Sequence, residues 1–399
     1  MSAFAVLERG EMKWRWIALA AFVTSSAVAQ VESANLWNAG IGGYATYRVP
    51  GIVTTKRGVL LAYCGARKDL SKGDWSATDI LLRRSIDGGK TWEPSRKIAG
   101  DGIDLTDNVV AIPERTSGAV VFLYQKNYAR VFSVETLDDG RTFSAEKEIT
   151  PIFDAFKKDF EWNVVAPGTG HGIQMKNGRM IASIWLANGA PKPDGTRAHA
   201  PSAMGTIYSD DHGRIWHRGD VIARDSPEIE NPNETVATQG PDGKVMVNIR
   251  SGGPRHLRAI SVSDDGATGW STPRFDHYLF DPICDAGILT VAATAKHPAA
   301  IYFVNPDSRD LPKNDKLRFR QDLTLKMSTD NGKTWAHQRV LDAGVSAYSD
   351  LTALRDNLFV IYESGSLNGT EAKPDHLTVA RVPIEWVNEG EAPQPWNKP

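Results

Sequence analysis

The sequence predicts an all-β chain folded as a six-bladed β-propeller. Three observations predict it: a turn pattern of eight residues that recurs, the spacing of its copies, and the short strand-like runs between them. The pattern S-x-D-x-G-x-T-W is intact from Ser85 to Trp92 and from Ser328 to Trp335. Ser209 to Trp216 departs from it only at Ile215, and Thr136 to Phe143 is a looser copy. Ser263 to Trp270 keeps the Ser, Asp and Trp spacing but has Ala267 in the glycine place. The copies begin at residues 85, 136, 209, 263 and 328, so successive starts are 51, 73, 54 and 65 residues apart. That interval suits one four-stranded blade with loops of variable length. Five such copies and a closing segment without one make six blades.

The chemistry of the pattern is that of a turn. Its Asp can accept backbone N–H groups, its Gly supplies a positive φ, and its aromatic residue can pack between sheets. The intervening runs Val49–Thr54, Val59–Tyr63, Ile80–Ser85, Ala119–Tyr124, Met180–Trp185 and Leu358–Glu363 are short and rich in apolar, β-branched or aromatic residues. No long amphipathic helix is expected; residues Phe153–Phe160 read as a short one. The Pro- and Gly-rich stretch Asn188–Pro201 has turn patterns on both sides, so it reads as a long loop over one propeller face and not as a linker.

At the N-terminus, Met12-Lys13-Trp14-Arg15 is a short basic start followed by an apolar run from Trp16 to Val23. Ala27-Val28-Ala29 then matches a small-x-small cleavage site, with Gln30 as the first mature residue. Residues 1–29 are therefore expected to be an export signal, with Met12 as an alternative start, and the protein to be periplasmic or extracellular. The propeller is expected over residues 34–388 and a C-terminal tail over 389–399. The apolar run is too short to span a bilayer comfortably, and no second candidate for a membrane span follows.

Composition narrows the function. Of 399 residues, 41% are hydrophobic and 24% charged, which is ample for a large core. A net charge of -2 gives no basic field to recruit nucleic acid, so any selectivity for anions must come from a local arginine cluster. The nine His are scattered, and neither H-E-x-x-H nor C-x-x-C occurs, so no metal or organic cofactor is implied. Gly168–Gly172 is glycine-rich but lacks the Lys-Ser/Thr of a phosphate loop and reads as a turn near the pocket. Cys64 and Cys284 are expected to be two buried free thiols, although export would permit a bond between them.

The repeated turn resembles the Asp-box of sialidases and some other propellers, and further motifs extend the resemblance over about residues 36–387. Tyr47-Arg48-Val49-Pro50 resembles the F/Y-R-I/V-P segment of sialidases. Asn248-Ile249-Arg250-Ser251 and Phe319–Leu325 resemble the segments that carry the family's second and third arginines. The resemblance implies that Arg48, Arg250 and Arg320 hold a sugar carboxylate, with Arg318 the alternative to Arg320. Planar guanidinium groups suit that anion. Asn233-Glu234-Thr235 resembles the N-E-T/S segment and Ala347–Leu351 the segment holding a nucleophilic tyrosine. These imply Tyr348 as nucleophile and Glu234 as its base; the use of a phenol avoids bringing a carboxylate against an anionic substrate. Ile361-Tyr362-Glu363 implies Glu363 as the partner of Arg48. Asp74, five residues before Asp79, matches the family's acid/base, with Asp69 as runner-up. Ala66-Arg67 matches the end of an A-E-x-R motif, which implies that Arg67 contacts a sugar hydroxyl. Here the sequence departs from the family, with Cys64-Gly65 where the motif has its Ala-Glu. Asp107-Asn108 lies where many members have an Asp near the 4-hydroxyl, but this pair is not assigned.

Taken singly, each of these residues has a plainer reading: a solvated arginine, a surface glutamate, a core tyrosine, a turn aspartate. Their joint occurrence in family order on a repeat-bearing scaffold favours the functional one. The resemblance implies a retaining exo-α-sialidase acting on terminal sialic acids of glycoproteins, glycolipids and oligosaccharides through a tyrosyl-sialosyl intermediate. The alternatives are a trans-sialidase, an intramolecular trans-sialidase, and a non-catalytic sialic-acid-binding propeller. Sialylated glycans are the expected partner.

Overall fold

The computed structural model describes residues 30–309, 320–367, 369 and 373–396. The expected export signal at residues 1–29 and the alternative arginine at 318 lie outside the described residues. Strand β1 (Glu32–Asn38) leads into four successive antiparallel sheets. The first holds β2 (Thr46–Thr54), β3 (Leu60–Arg67), β4 (Thr78–Ser85) and β5 (Arg96–Ala99). The second holds β6 (Thr106–Pro113), β7 (Val120–Lys126), β8 (Arg130–Thr136) and β9 (Lys147–Glu148). The third holds β10 (Val164–Pro167), the short β11 (Ile173–Gln174), β12 (Met180–Ala187), β13 (Ser202–Ser209) and β14 (His217–Arg224). The fourth holds β15 (Thr235–Gln239), β16 (Val245–Ile249), β17 (Leu257–Ser263) and β18 (Arg274–Phe280). These are four blades in a propeller-like arrangement.

The remaining strands are β19 (Gly287–Val291), β20 (Ala300–Pro306), β21 (Gln321–Ser328), β22 (His337–Leu354), β23 (Asn357–Ser364) and β24 (His376–Pro383). They form one seven-stranded run that ends on β1. Its continuity comes from β22, whose residues 337–345 pair with β21 and whose residues 346–354 pair with β23. The pairing of β1 with β24 joins the two ends of the chain and closes the ring. Inner strands meet in sequence: β2 contacts β6, β6 contacts β10, β12 contacts β15, β15 contacts β19, and both β19 and β2 contact β22.

Apolar clusters join neighbouring sheets. Leu61, Tyr63, Leu82, Phe122 and Tyr124 join the first sheet to the second. Leu36, Trp37, Ile52, Leu60, Phe359 and Ile361 join the last strands back to the first sheet. Helices are minor. Helix α1 (Pro151–Asp154) is shorter than the expected 153–160 element, which continues as turns, and α2 (Ile384–Asn388) caps the last strands. The stretch 188–201 is a loop, pinched by a bridge between Pro191 and Arg197. The tail folds back: Trp396 stacks edge-on against Phe280 of β18, with ring centroids 5.5 Å apart.

The copies of the turn pattern connect β4 to β5, β8 to β9, β13 to β14, β17 to β18 and β21 to β22. In the Ser328 copy, Asp330 accepts the N–H groups of Lys333 and Thr334 and the hydroxyls of Ser328 and Thr334. Places four and five of the pattern have positive φ, as at Asn331 (62°) and Gly332 (72°). That explains why Gly, Asp, His or Asn occupies place four. The copy lacking the fifth-place glycine keeps a positive φ of 70° at Gly266, one place earlier. Because Asp330 satisfies several donors of one turn, Asp330→Ala should destabilise the fold by about 1–3 kcal/mol. Urea unfolding measures it, and the arrangement of the site described next should be unchanged.

Candidate active site

The strand order places the predicted residues at one end of the ring. In an antiparallel sheet, the start of a first strand and the end of a second lie together. Arg48 is near the start of β2 and Arg67 ends β3; Glu234 precedes β15 and Arg250 follows β16. Glu234 and Arg250 are neighbours just beyond the last ladder pair, Thr235–Ile249, and the Arg250 N–H bonds to the Glu234 carbonyl at 3.2 Å. Arg320 stands just before β21, where its carbonyl accepts the Ser346 N–H of β22 at 2.9 Å.

Two bulges aim the central side chains. Pairing between β2 and β3 slips between Arg48 and Gly51, and Val49 holds a φ of 54°. A β-branched residue avoids that region unless its surroundings impose it. Pairing between β22 and β23 slips between Ser346 and Ser349, which turns Tyr348 out of the ladder. Extra residues of this kind redirect side chains next to functional sites.

The result is a buried phenol surrounded by guanidinium groups. The carbons at the centres of Arg48, Arg320 and Arg250 lie 5.2, 5.5 and 5.9 Å from the centre of the Tyr348 ring. The Tyr348 hydroxyl is 2.5 and 2.7 Å from the two Glu234 carboxylate oxygens, and Arg250 Nη1 donates to it at 2.8 Å. Arg250 Nη1 also contacts Glu234 Oε2. Arg320 Nη2 donates to the Ile283 carbonyl at 2.5 Å. Burial raises the Tyr348 pKa, while Arg250, Arg320 and Arg48 pull it down; the net shift is upward. The phenol is thus neutral but hydrogen-bonded to a base and flanked by charges that would stabilise its anion.

Glu363, at the end of β23, is fully buried and accepts Arg48 Nε at 2.5 Å and the Val49 N–H at 3.0 Å. It therefore holds both Arg48 and the strained backbone beside it. Arg67 is buried and pairs with Asp74 at 2.9 Å, from Nη1 to Oδ1. Asp74 sits on a single helical turn, Gly73–Trp75, with its carboxylate half exposed to solvent. Arg67 first, then Arg48 and His199, hold that carboxyl well below the usual carboxylate range against the opposing effect of burial. Asp69 instead accepts the Ser71 N–H and hydroxyl in its own turn, both at 2.8 Å.

Three features were not assigned from the sequence. Asp107 lies 3.6 Å from Arg67 Nη2, is fully buried, and is pushed up to about 6 by burial. It also explains the departure at Gly65, because a Cβ there would come within 2.2 Å of Asp107 Oδ1. His199, on the 188–201 loop, packs against Trp75, Tyr128 and Trp185 at 5.8, 4.6 and 5.2 Å between ring centroids. His171, in the glycine-rich turn, has its Nδ1 2.7 Å from Asp350 Oδ1. The glycines alone signalled a turn there; nothing local signalled its partner, 179 positions away. Cys64 and Cys284 are buried and unpaired, and Cys284 packs under Tyr348 with Val49 and Ala347. Among the described residues, no group of three or more His, Cys, Asp or Glu side chains could hold a metal ion.

Comparison with known proteins places the chain in a family. Residues 59–361 match the family model of the BNR repeat-like domain. A sialidase of Micromonospora viridifaciens is 28% identical over 361 residues, covering 81% of this chain and 50% of the relative. A sialidase of Bacteroides fragilis is also 28% identical, over 384 residues, covering 87% of this chain and 65% of the relative. The chain thus spans about half to two thirds of the length of these curated relatives. Among solved structures, the Hadza microbial sialidase Hz136 superimposes with a TM-score of 0.72 at 24% identity. That match covers 89% of this chain and 69% of the other, and it is a likeness of fold.

The buried Arg48–Glu363 pair gives a first check on the site. Removing one member of such a pair leaves the other charge desolvated and unpaired, which costs about 3–5 kcal/mol. Glu363→Ala should lower unfolding stability by that amount in urea denaturation; a change below about 1 kcal/mol would mean that Arg48 is held by something else.

Proposed function

Because the chain belongs to the sialidases of the BNR repeat-like domain family, we propose that it is a retaining exo-α-sialidase that removes terminal sialic acid from glycans. One observation carries the reading: a tyrosine hydroxyl held by a glutamate within a cluster of three guanidinium groups. Three positive side chains face two carboxylates, Glu234 and Glu363, so the cluster is matched to an incoming anion. In this proposal Arg48, Arg250 and Arg320 clamp the sugar carboxylate and set the anomeric carbon against Tyr348. The Tyr348 oxygen attacks that carbon as its proton passes to Glu234, and the glycosidic oxygen leaves with a proton from Asp74. Asp74 then takes a proton from water, whose oxygen displaces the tyrosine, and Glu234 returns the proton to the phenol.

Asp74 is ionised in its contact with Arg67. To act as an acid it must first be protonated. In this reading, Arg67 turns to a sugar hydroxyl when substrate binds, which weakens the interaction that depresses Asp74. Transfer to an acceptor, or to a hydroxyl of the same sugar, would differ only in the nucleophile of the second step. We extend the proposal to the architecture: the seven-stranded run is taken as two blades that share β22, making six in all. Export is proposed as well, on the strength of residues 12–29. It requires a mature chain starting near Gln30, and N-terminal sequencing that finds intact Met1 or Met12 would rule it out.

The central test compares two variants on two substrates. Wild-type protein should release free sialic acid from sialyl-lactose; an anhydro sugar or a transferred sialic acid would favour the other outcomes of the second step. Asp74→Ala should retain much of its kcat/KM on an aryl sialoside, whose leaving group needs no proton, and lose about a hundredfold or more in kcat/KM on sialyl-lactose. Tyr348→Phe should lose much of both. Equal treatment of the two substrates by Asp74→Ala would remove Asp74 from the acid role. Absence of release by the wild-type protein would leave a sialic-acid-binding propeller.

A further inference from the structure

Asp350, two residues after Tyr348, joins the strands that carry the two ends of the site. It is fully buried on β22. Its Oδ2 accepts the Ile52 N–H of β2 at 3.0 Å, and its Oδ1 lies 2.7 Å from His171 Nδ1. Ile52 comes just after the bulge that carries Arg48, and Asp350 just after the bulge that carries Tyr348. A bulge disrupts the ladder locally and leaves a residue unpaired. One carboxylate therefore links β2 and β22 where each resumes its ladder. His171 closes the other side of that carboxylate from the turn at residues 168–172. The turn is itself fixed: the Gly170 carbonyl accepts the Tyr63 hydroxyl at 2.7 Å, and a Cβ on Gly170 would lie 3.0 Å from Asp350 Cγ.

We propose that Asp350 and His171 are a positioning pair that holds Tyr348 in register with Arg48. The proposal rests on the reading of the site given above and assigns neither residue to the chemistry itself. A carboxylate has no donor, so the His171 nitrogen that faces it must carry a hydrogen. Both the imidazolium and one neutral tautomer satisfy this, so the wild-type contact survives a change in protonation. Burial opposes charge on His171, but the charge and hydrogen bond of Asp350 outweigh it and raise its pKa above the usual value. Asp285 also faces the ring, and burial pushes it up to about 7. The Ile288 backbone lies beside the ring, although no sound hydrogen bond reaches Nε2. Tyr63 faces Asp350, and Arg258 faces Asp285 with Asp281 behind it.

His171 borders a cavity on the far side of the propeller. This cavity, of about 480 Å³, is also lined by Thr54, Thr238, Thr290, Thr352 and Arg115. Thr54 ends β2, whereas Arg48 is near its start, so this cavity opens on the face opposite the candidate active site.

The pair makes an unusual prediction for Asp350→Asn. The amide oxygen must accept the Ile52 N–H, which leaves the amide NH2 facing His171 Nδ1. That contact requires an Nδ1 without hydrogen, hence a neutral imidazole. The variant also loses the charge and hydrogen bond of Asp350 that raise the His171 pKa, so its ring titrates lower than in the wild-type protein and gives the variant an acid limb. With an aryl sialoside, Asp350→Asn should lose about tenfold to a hundredfold in kcat below that limb, more than KM rises. It should recover to within a few fold above the limb, while wild-type protein shows no such limb. His171→Gln, which keeps a donor, should retain activity that His171→Leu loses. A wild-type pH profile in Asp350→Asn, or equal behaviour of the two His171 variants, would overturn the proposal; the His171 variants decide alone if Asp350→Asn does not fold. Crystal structures of Asp350→Asn above and below the limb provide a readout without turnover. On the acid side the Tyr348 hydroxyl should lie outside hydrogen-bond reach of Glu234. Failure of wild-type protein to turn over any sialoside would count against the function, whereas an unmoved Tyr348 in those crystals would count against the pair.

Discussion

Three guanidinium groups brought within 6 Å of one phenol ring set the constraint that the rest of the site answers. Like charges taken out of water repel each other and lose hydration, so each needs a partner supplied by the fold. Arg48 has Glu363, Arg250 has Glu234, and Arg320 has the Ile283 carbonyl. The partners come from different strands, and no single blade could supply them. The ring architecture does so because the inner ends of successive sheets converge on one axis. Its closure by β1 and β24 therefore matters to the chemistry as well as to stability.

The constraint also accounts for the irregular backbone. Regular pleating would send alternate side chains to opposite faces of a sheet and leave Arg48 and Tyr348 within their ladders. Both strands slip register where these residues occur, and β2 places a valine at positive φ beside the arginine. The strain is local and its compensation is visible. Glu363 accepts the Val49 N–H, and Asp350 accepts the Ile52 N–H just beyond. The same carboxylates that balance charge or orient groups thus also serve backbone donors of β2 at the bulge and just beyond it.

What was legible in the sequence follows from the range of each interaction. The turn pattern could be read because its hydrogen bonds run from Asp330 to residues three and four positions away. A local motif of that kind repeats as a string of letters. The arginines, Glu234 and Tyr348 could be named only through resemblance, since most contacts that define them join distant positions, Arg250 to Tyr348 across 98 and Arg48 to Glu363 across 315. Asp107, His199 and the His171–Asp350 pair were not assigned, because each looks like an ordinary polar residue until the ring closes. Gly65 looked like a departure from a family motif. In the structure it makes room for Asp107, so the two unfamiliar positions explain each other.

Arg67 brings the charge balance to the candidate acid. It is buried between two carboxylates in opposite conditions: Arg67 chiefly depresses Asp74, while burial, against the pull of Arg67, raises Asp107 to about 6. The difference follows from geometry. Asp74 is in direct contact at 2.9 Å and half open to solvent, whereas Asp107 is 3.6 Å away and fully buried. A small rotation of one guanidinium would therefore redistribute stabilisation between them. As Arg67 leaves Asp74, the acid's affinity for a proton rises, and as it approaches Asp107, that group's falls. On this reading the acid need not be kept protonated by a permanently apolar pocket. In the proposed mechanism its protonation is coupled to the orientation of one arginine, and a sugar hydroxyl that draws Arg67 away would prepare the acid when substrate is bound.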